Sequence, residues 1–164
     1  MKYAKIEKNS VANGPGIRVV LWCQGCSIHC PGCHNESTWD FSKGNDVMLD
    51  DITDMFLELN KPYVQGLTLS GGNPLETYNI DTCTEIAKQY KDRFPHKDLW
   101  LYTGLLWEDI QHLDIFKYVD VVVDGPYVEK LRDINLPYCG SKNQRVIDVK
   151  KSFETKGVVL YEIH

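Results

Sequence analysis

The chain has 164 residues, 18 basic and 23 acidic, with a net charge of −5 and 43% hydrophobic residues. A chain of this size buries roughly 70% of the surface its unfolded form exposes, so disorder and collagen-like architecture are excluded and one domain spanning 1–164 is expected. A pI near 5.5 without a basic cluster argues against nucleic acid as a partner, and no apolar run approaches the ~18 residues of a membrane span.

Along the chain, Met1 to Asn9 is polar and has no apolar stretch of the signal-peptide kind, so a cytoplasmic location is expected. Val19 to Cys23 is a continuous apolar run, the pattern of a strand buried on both faces. Behind it come Cys26, Cys30 and Cys33, then a polar stretch from His34 to Asn45. Leu49, Ile52, Met55, Phe56 and Leu59 recur with helical period, and Ile80, Cys83, Ile86, Ala87 and Tyr90 repeat that spacing. Between these helices Leu67 to Leu69 predicts a second strand, ending in Gly71 and Gly72. Leu99 to Tyr102 predicts a third, and Leu106, Ile110 and Leu113 a short helix entered after Gly104. Val119 to Val123 follows as the fourth. Arg132 to Arg145 is polar, with Pro137 and Gly140, and is expected as a long loop, either functional or mobile. Short strands are expected at Val146 to Val149 and Val158 to Tyr161. Strand alternating with helix predicts right-handed crossovers and a mostly parallel α/β sheet.

Four of the six cysteines fall within eleven residues, Cys23 to Cys33. A reducing compartment makes such a cluster a metal site rather than a disulfide framework. Two C-x2-C pairs separated by three residues are too close for a zinc ribbon, and the spacing 2, 3, 2 differs from the 2, 2, 3 of bacterial ferredoxins. Cys23 lies inside the strand run and is read as a small buried side chain. On that reading, with Cys23 as a fourth ligand the other option, Cys26, Cys30 and Cys33 form C-x3-C-x2-C: three soft thiolates on a loop at the end of a parallel strand, where α/β folds carry chemistry. Three thiolates on a four-iron cubane leave one iron open to a ligand. Gly71 and Gly72 provide a turn at the end of the neighbouring strand where backbone can approach a ligand.

Four stretches resemble radical S-adenosylmethionine enzymes, and within them the activating enzymes of anaerobic ribonucleotide reductase. They are Asn13-Gly14-Pro15-Gly16-Ile17-Arg18, Gly25 to Asn35 with Thr38-Trp39, Ser70-Gly71-Gly72-Asn73-Pro74, and Gly140-Ser141-Lys142-Asn143-Gln144-Arg145. The resemblance implies a shortened, open (β/α) barrel. It also implies a [4Fe-4S] cluster on Cys26, Cys30 and Cys33, with S-adenosylmethionine at the fourth iron. Gly32, Cys33, His34, Gly71, Gly72 and Asn73 are its implied contacts. The implied reaction cleaves S-adenosylmethionine reductively to a 5′-deoxyadenosyl radical that takes hydrogen from a glycine of the large reductase subunit. No side-chain acid or base is required, and an electron donor such as flavodoxin is implied. The chain departs from the pattern in having Gly32 where many members carry an aromatic residue and Cys139 where the subfamily usually has Arg. An activase of the pyruvate formate-lyase type, or a non-catalytic zinc or electron-transfer iron-sulfur module, stands as the alternative. A full eight-unit barrel takes ~250 residues, so 164 leave a side open, as a protein substrate requires.

Overall fold

A computed structural model describes residues 1–163. Seven strands form one open sheet: β1 (Lys2–Ser10), β2 (Ile17–Cys23), β3 (Asn45–Asp46), β4 (Val64–Gly71), β5 (Asp98–Tyr102), β6 (Val121–Asp124) and β7 (Arg145–Asp148), in the order β3-β1-β2-β4-β5-β6-β7. The centre, β2-β4-β5-β6, is parallel, and both flanks are antiparallel. The helices are α1 (Leu49–Leu59), α2 (Ile80–Arg93), α3 (Trp107–Ile110) and α4 (Val149–Thr155). None of them is long and apolar enough to cross a membrane.

The continuous apolar runs are buried on both faces, but by different means. Leu67, Leu69, Leu99, Leu101 and Val122 face the layer of Met55, Phe56, Leu59, Ile86 and Tyr90 from α1 and α2. Trp100, Val121, Val123 and Val146 point the other way, covered by Tyr138, Cys139 and Tyr161 from the C-terminal third. Helices thus cover one face, and loop and tail segments cover the other.

Three elements differ from expectation. β1 was not expected as a strand, because Lys2, Lys5 and Lys8 dilute its apolar set and a register shift between Tyr3 and Lys5 breaks the two-residue alternation. Its outer neighbour β3 is two residues long and ends the sheet with the ion pair Lys2–Asp46, a short charged edge. Val158 to Tyr161 is not a strand: it makes one isolated bridge, Leu160 to Ile147, and Leu160 remains exposed. The chain before it is α4, whose N-cap Asp148 accepts from the Lys151 amide at 2.9 Å and whose end is the left-handed Lys156.

The first of the four motif stretches folds around a buried charge at the N-terminal end of the parallel strands. Arg18 is fully buried, and its guanidinium donates to Thr68 Oγ1, Leu67 O and Pro15 O. Gly14 has φ +126 and a Cβ there would strike the Arg18 side chain, so the loop needs glycine to wrap it.

Candidate active site

The cysteine loop leaves β2 and is fastened to its surroundings before it turns. Gly25 N donates to Thr38 O at 2.7 Å and Cys26 N to Trp39 O at 3.2 Å. Buried Gln24 donates to the carbonyls of Ser37 and Asp40, which closes the base of the loop. The Glu76 carboxylate, from the turn after β4, accepts from both Ser27 N and Ser27 Oγ at 2.7 and 2.8 Å. Cys33 N bonds Cys30 O, and Asn35 N reaches Cys33 Sγ at 3.4 Å, so the last two cysteines share one tight turn. Burial pushes the Cys26 thiol above its ordinary value, opposed by the amides of Ile28 and His29.

Cys26, Cys30, Cys33 and His34 line one cavity of about 210 Å³ together with Gly71 and Gly72. It sits at the C-terminal ends of β4, β5 and β6, the side on which parallel strands carry chemistry. Among the described residues no three His, Cys, Asp or Glu side chains are gathered around a point suited to one metal ion. A tetrahedral zinc with bonds of ~2.3 Å would draw its thiolates to within about 4 Å of one another. A four-iron cubane binds one thiolate per corner, and three soft thiols lining one cavity are a donor set of that kind.

The two glycines owe their lack of a side chain to the neighbouring strand. A Cβ on Gly71, at φ +105, would run into the backbone of Cys23, and one on Gly72 into Gly25 O. Gly72 N donates to Cys23 O at 2.8 Å and Asn73 N to Gly25 O at 2.9 Å, which clamps the turn to the root of the cysteine loop.

Two residues expected at the cofactor do not line the cavity. Asn73 is buried beneath it, with Oδ1 accepting from Leu75 N and Thr103 Oγ1, so its side chain braces the turn. Gly32, at φ +78, faces the Glu129 carboxylate and the Tyr127 ring. Cys23 is buried, its Sγ 3.7 Å from Cys83 Sγ in the helix-covered core, as read from the sequence. Trp100 and Trp107 are core side chains as expected, but Trp39 lines the cavity and stacks on His29 at 4.4 Å.

Sequence reading missed Tyr102 and Tyr138 on the cavity wall. Tyr102 closes a parallel strand on its functional edge, so attention to each strand's last residue would have found it. The Asn143-Gln144-Arg145 segment braces the turn after β6. Asn143 Nδ2 donates to Pro126 O, Gln144 Nε2 to Gly125 O, and Arg145 pairs with buried Asp124 and with Glu108. Asp124 also accepts from Trp107 N, which fixes the start of α3.

Arg145 holds the Glu108 carboxyl down to about 2 from its ordinary 4.5. The stability contributed is therefore complete above about pH 4.5 and fades as pH falls through about 2. Because Glu108 is half exposed, the contribution stays below about 1 kcal/mol. Glu108→Gln is expected to lower the urea midpoint slightly at pH 6, and the gap to the unmodified protein to close by pH 2 to 3.

Three soft thiols on one loop around a single cavity describe an iron-sulfur class of site. The family described as a 4Fe-4S single cluster domain matches residues 12–147. The anaerobic ribonucleoside-triphosphate reductase-activating protein of Enterobacteria phage T4 is 43% identical over 146 residues, 89% of this chain and 93% of the phage protein. Proteins of the same name from Haemophilus influenzae and Escherichia coli K12 are 35% and 32% identical over 150 and 155 residues. Those matches cover 88% and 89% of this chain and 96% and 97% of theirs. The chain belongs to the family of anaerobic ribonucleoside-triphosphate reductase-activating proteins.

Proposed function

We propose that this chain is a radical S-adenosylmethionine enzyme that reductively cleaves S-adenosylmethionine and uses the 5′-deoxyadenosyl radical to take hydrogen from a glycine. The glycine belongs to the large subunit of anaerobic ribonucleoside-triphosphate reductase, which is left with a glycyl radical. The observation that carries this reading is the convergence of Cys26, Cys30 and Cys33 with Gly71 and Gly72 on one cavity. The donor set fits a [4Fe-4S] cluster: three thiols, all soft, with no fourth cysteine on the wall because Cys23 points into the core.

In this reading Cys26, Cys30 and Cys33 hold the cluster, and Gly71, Gly72, Cys33 and His34 border S-adenosylmethionine. Bound there, the cluster supplies the electron that breaks the sulfonium carbon-sulfur bond. The protein orients the two groups and keeps water from the radical. Glu76 and Gln24 keep the loop in register with the β4 turn. The shortened, open barrel works as one domain over 1–164 in the cytoplasm, with a low-potential carrier such as flavodoxin as electron donor and neither nucleic acid nor membrane as partner.

Anaerobic reconstitution with iron and sulfide, reduction with dithionite and incubation with S-adenosylmethionine and the large reductase subunit tests this. Formation of 5′-deoxyadenosine and a glycyl-radical electron paramagnetic resonance signal is expected. A loaded protein that leaves S-adenosylmethionine uncleaved overturns the reading. A signal formed only on a pyruvate formate-lyase type partner corrects the substrate.

A further inference from the structure

We propose that Tyr102 is a ligand contact whose hydroxyl donates a hydrogen bond to the ribose of S-adenosylmethionine in the cavity, an assignment that rests on the function proposed above. Among the described residues three buried side-chain atoms lack a hydrogen-bond partner: Asn79 Oδ1, Asp98 Oδ1 and the Tyr102 hydroxyl. Asp98 Oδ1 has the Arg18 guanidinium 2.7 Å away, and Asn79 is anchored through its amide nitrogen to the carbonyls of Gln24 and Asn73. Neither residue lines the cavity, whereas Tyr102 does.

Phe would fill the same space as Tyr102 without an unpaired buried hydroxyl, so the oxygen calls for a partner. The cavity wall leaves few acceptors free. Thr103 Oγ1 accepts from Leu105 N while donating to Asn73, Gln144 Oε1 is taken by the amides of Gly140 and Ser141, and Gly125 O is taken by Gln144 Nε2. Burial pushes the phenol pKa upward, so the group stays protonated and acts as a donor.

Position narrows the acceptor. The cysteines and the Gly71–Gly72 turn follow β2 and β4, and Tyr102 ends β5, one strand further along the edge. With the amino-acid end held beside the cysteines, as the proposed function requires, the rest of S-adenosylmethionine would extend along the cavity wall that Tyr102 lines. Apart from the carboxylate of the amino-acid end, every oxygen of S-adenosylmethionine belongs to its ribose.

Anaerobic equilibrium dialysis of the cluster-loaded protein tests the contact, with S-adenosylmethionine and its 2′,3′-dideoxyribose analogue as the two ligands. Tyr102→Phe is expected to weaken S-adenosylmethionine binding about five- to tenfold, the worth of one hydrogen bond. The analogue should bind both proteins equally, and the cluster signal should not change. The cofactor-free variant should melt at the same temperature or higher, since an unpaired hydroxyl is gone. Equal S-adenosylmethionine affinity in the two proteins overturns the contact, and so does an equal loss for both ligands. A lower melting temperature or a lost cluster signal would make the hydroxyl structural and overturn it too. If the unmodified protein binds no S-adenosylmethionine, the proposed function fails with it, and that result is distinct from the others.

Discussion

Replacing any one of Cys26, Cys30 and Cys33 by Ala is expected to remove the iron-sulfur chromophore and lower glycyl-radical formation by more than about 100-fold. Loss of a group that merely orients a metal ligand costs 10- to 100-fold, and loss of a ligand costs more. Cys23→Ala should behave differently although it is only three residues from Cys26. Its side chain leaves β2 toward α2 and meets Cys83, in a layer that no solvent reaches. The expected cost there is about 1 kcal/mol of stability from a small void, with iron content unchanged. Iron and sulfide per chain, with the electron paramagnetic resonance spectrum of the reduced protein, separate the two classes. A Cys23→Ala variant that loses the cluster while Cys26→Ala keeps it would reverse the assignment.

The cysteine spacing, the four parallel strands and the α1 and α2 stripes were all legible in the sequence, because each is a local pattern: soft ligands at short intervals, apolar runs, a 3.6-residue period. What escaped has in common that its cause lies far away in the chain. β1 is a strand because β2 offers it an edge, and its own lysines conceal it. Tyr138 and Cys139 cover Trp100 from across the sheet, so the segment Arg132 to Arg145 is partly a cover rather than a free loop. Asn73 carries the right motif position but turns to Thr103, thirty residues on, a partner that no spacing rule indicates. The Asn143-Gln144-Arg145 motif, one of the stretches that carry the resemblance, is the brace of the turn after β6. It shapes the cavity wall by holding Gly125 and Pro126 in place.

That division bears on the other end of the sheet, where the second large effect is expected. Asp98→Ala should destabilise the cofactor-free protein by about 3 to 5 kcal/mol, the cost of leaving a buried charge without its partner. Arg18 has no exposed side-chain surface, whereas Asp98 keeps about a quarter of its own, so the two members of the pair are not equivalent. Removing the carboxylate strands a guanidinium among Leu67 O, Thr68 and the Trp100 ring with no counter-charge. Removing the guanidinium by Arg18→Met leaves a carboxylate that water can reach, and a side chain that fills most of the space. That variant should lose less, with its cost set by the unpaired carbonyls of Pro15 and Leu67. Gly66 shows how little room there is, since a Cβ there would meet both Asp98 and Arg18. Urea unfolding of the two single variants and of Arg18→Met with Asp98→Ala checks the order. The double variant should be more stable than Asp98→Ala alone, because no buried charge remains unpaired. Additive losses in the double variant would show that the pair is not coupled and that Arg18 acts through its hydrogen bonds alone.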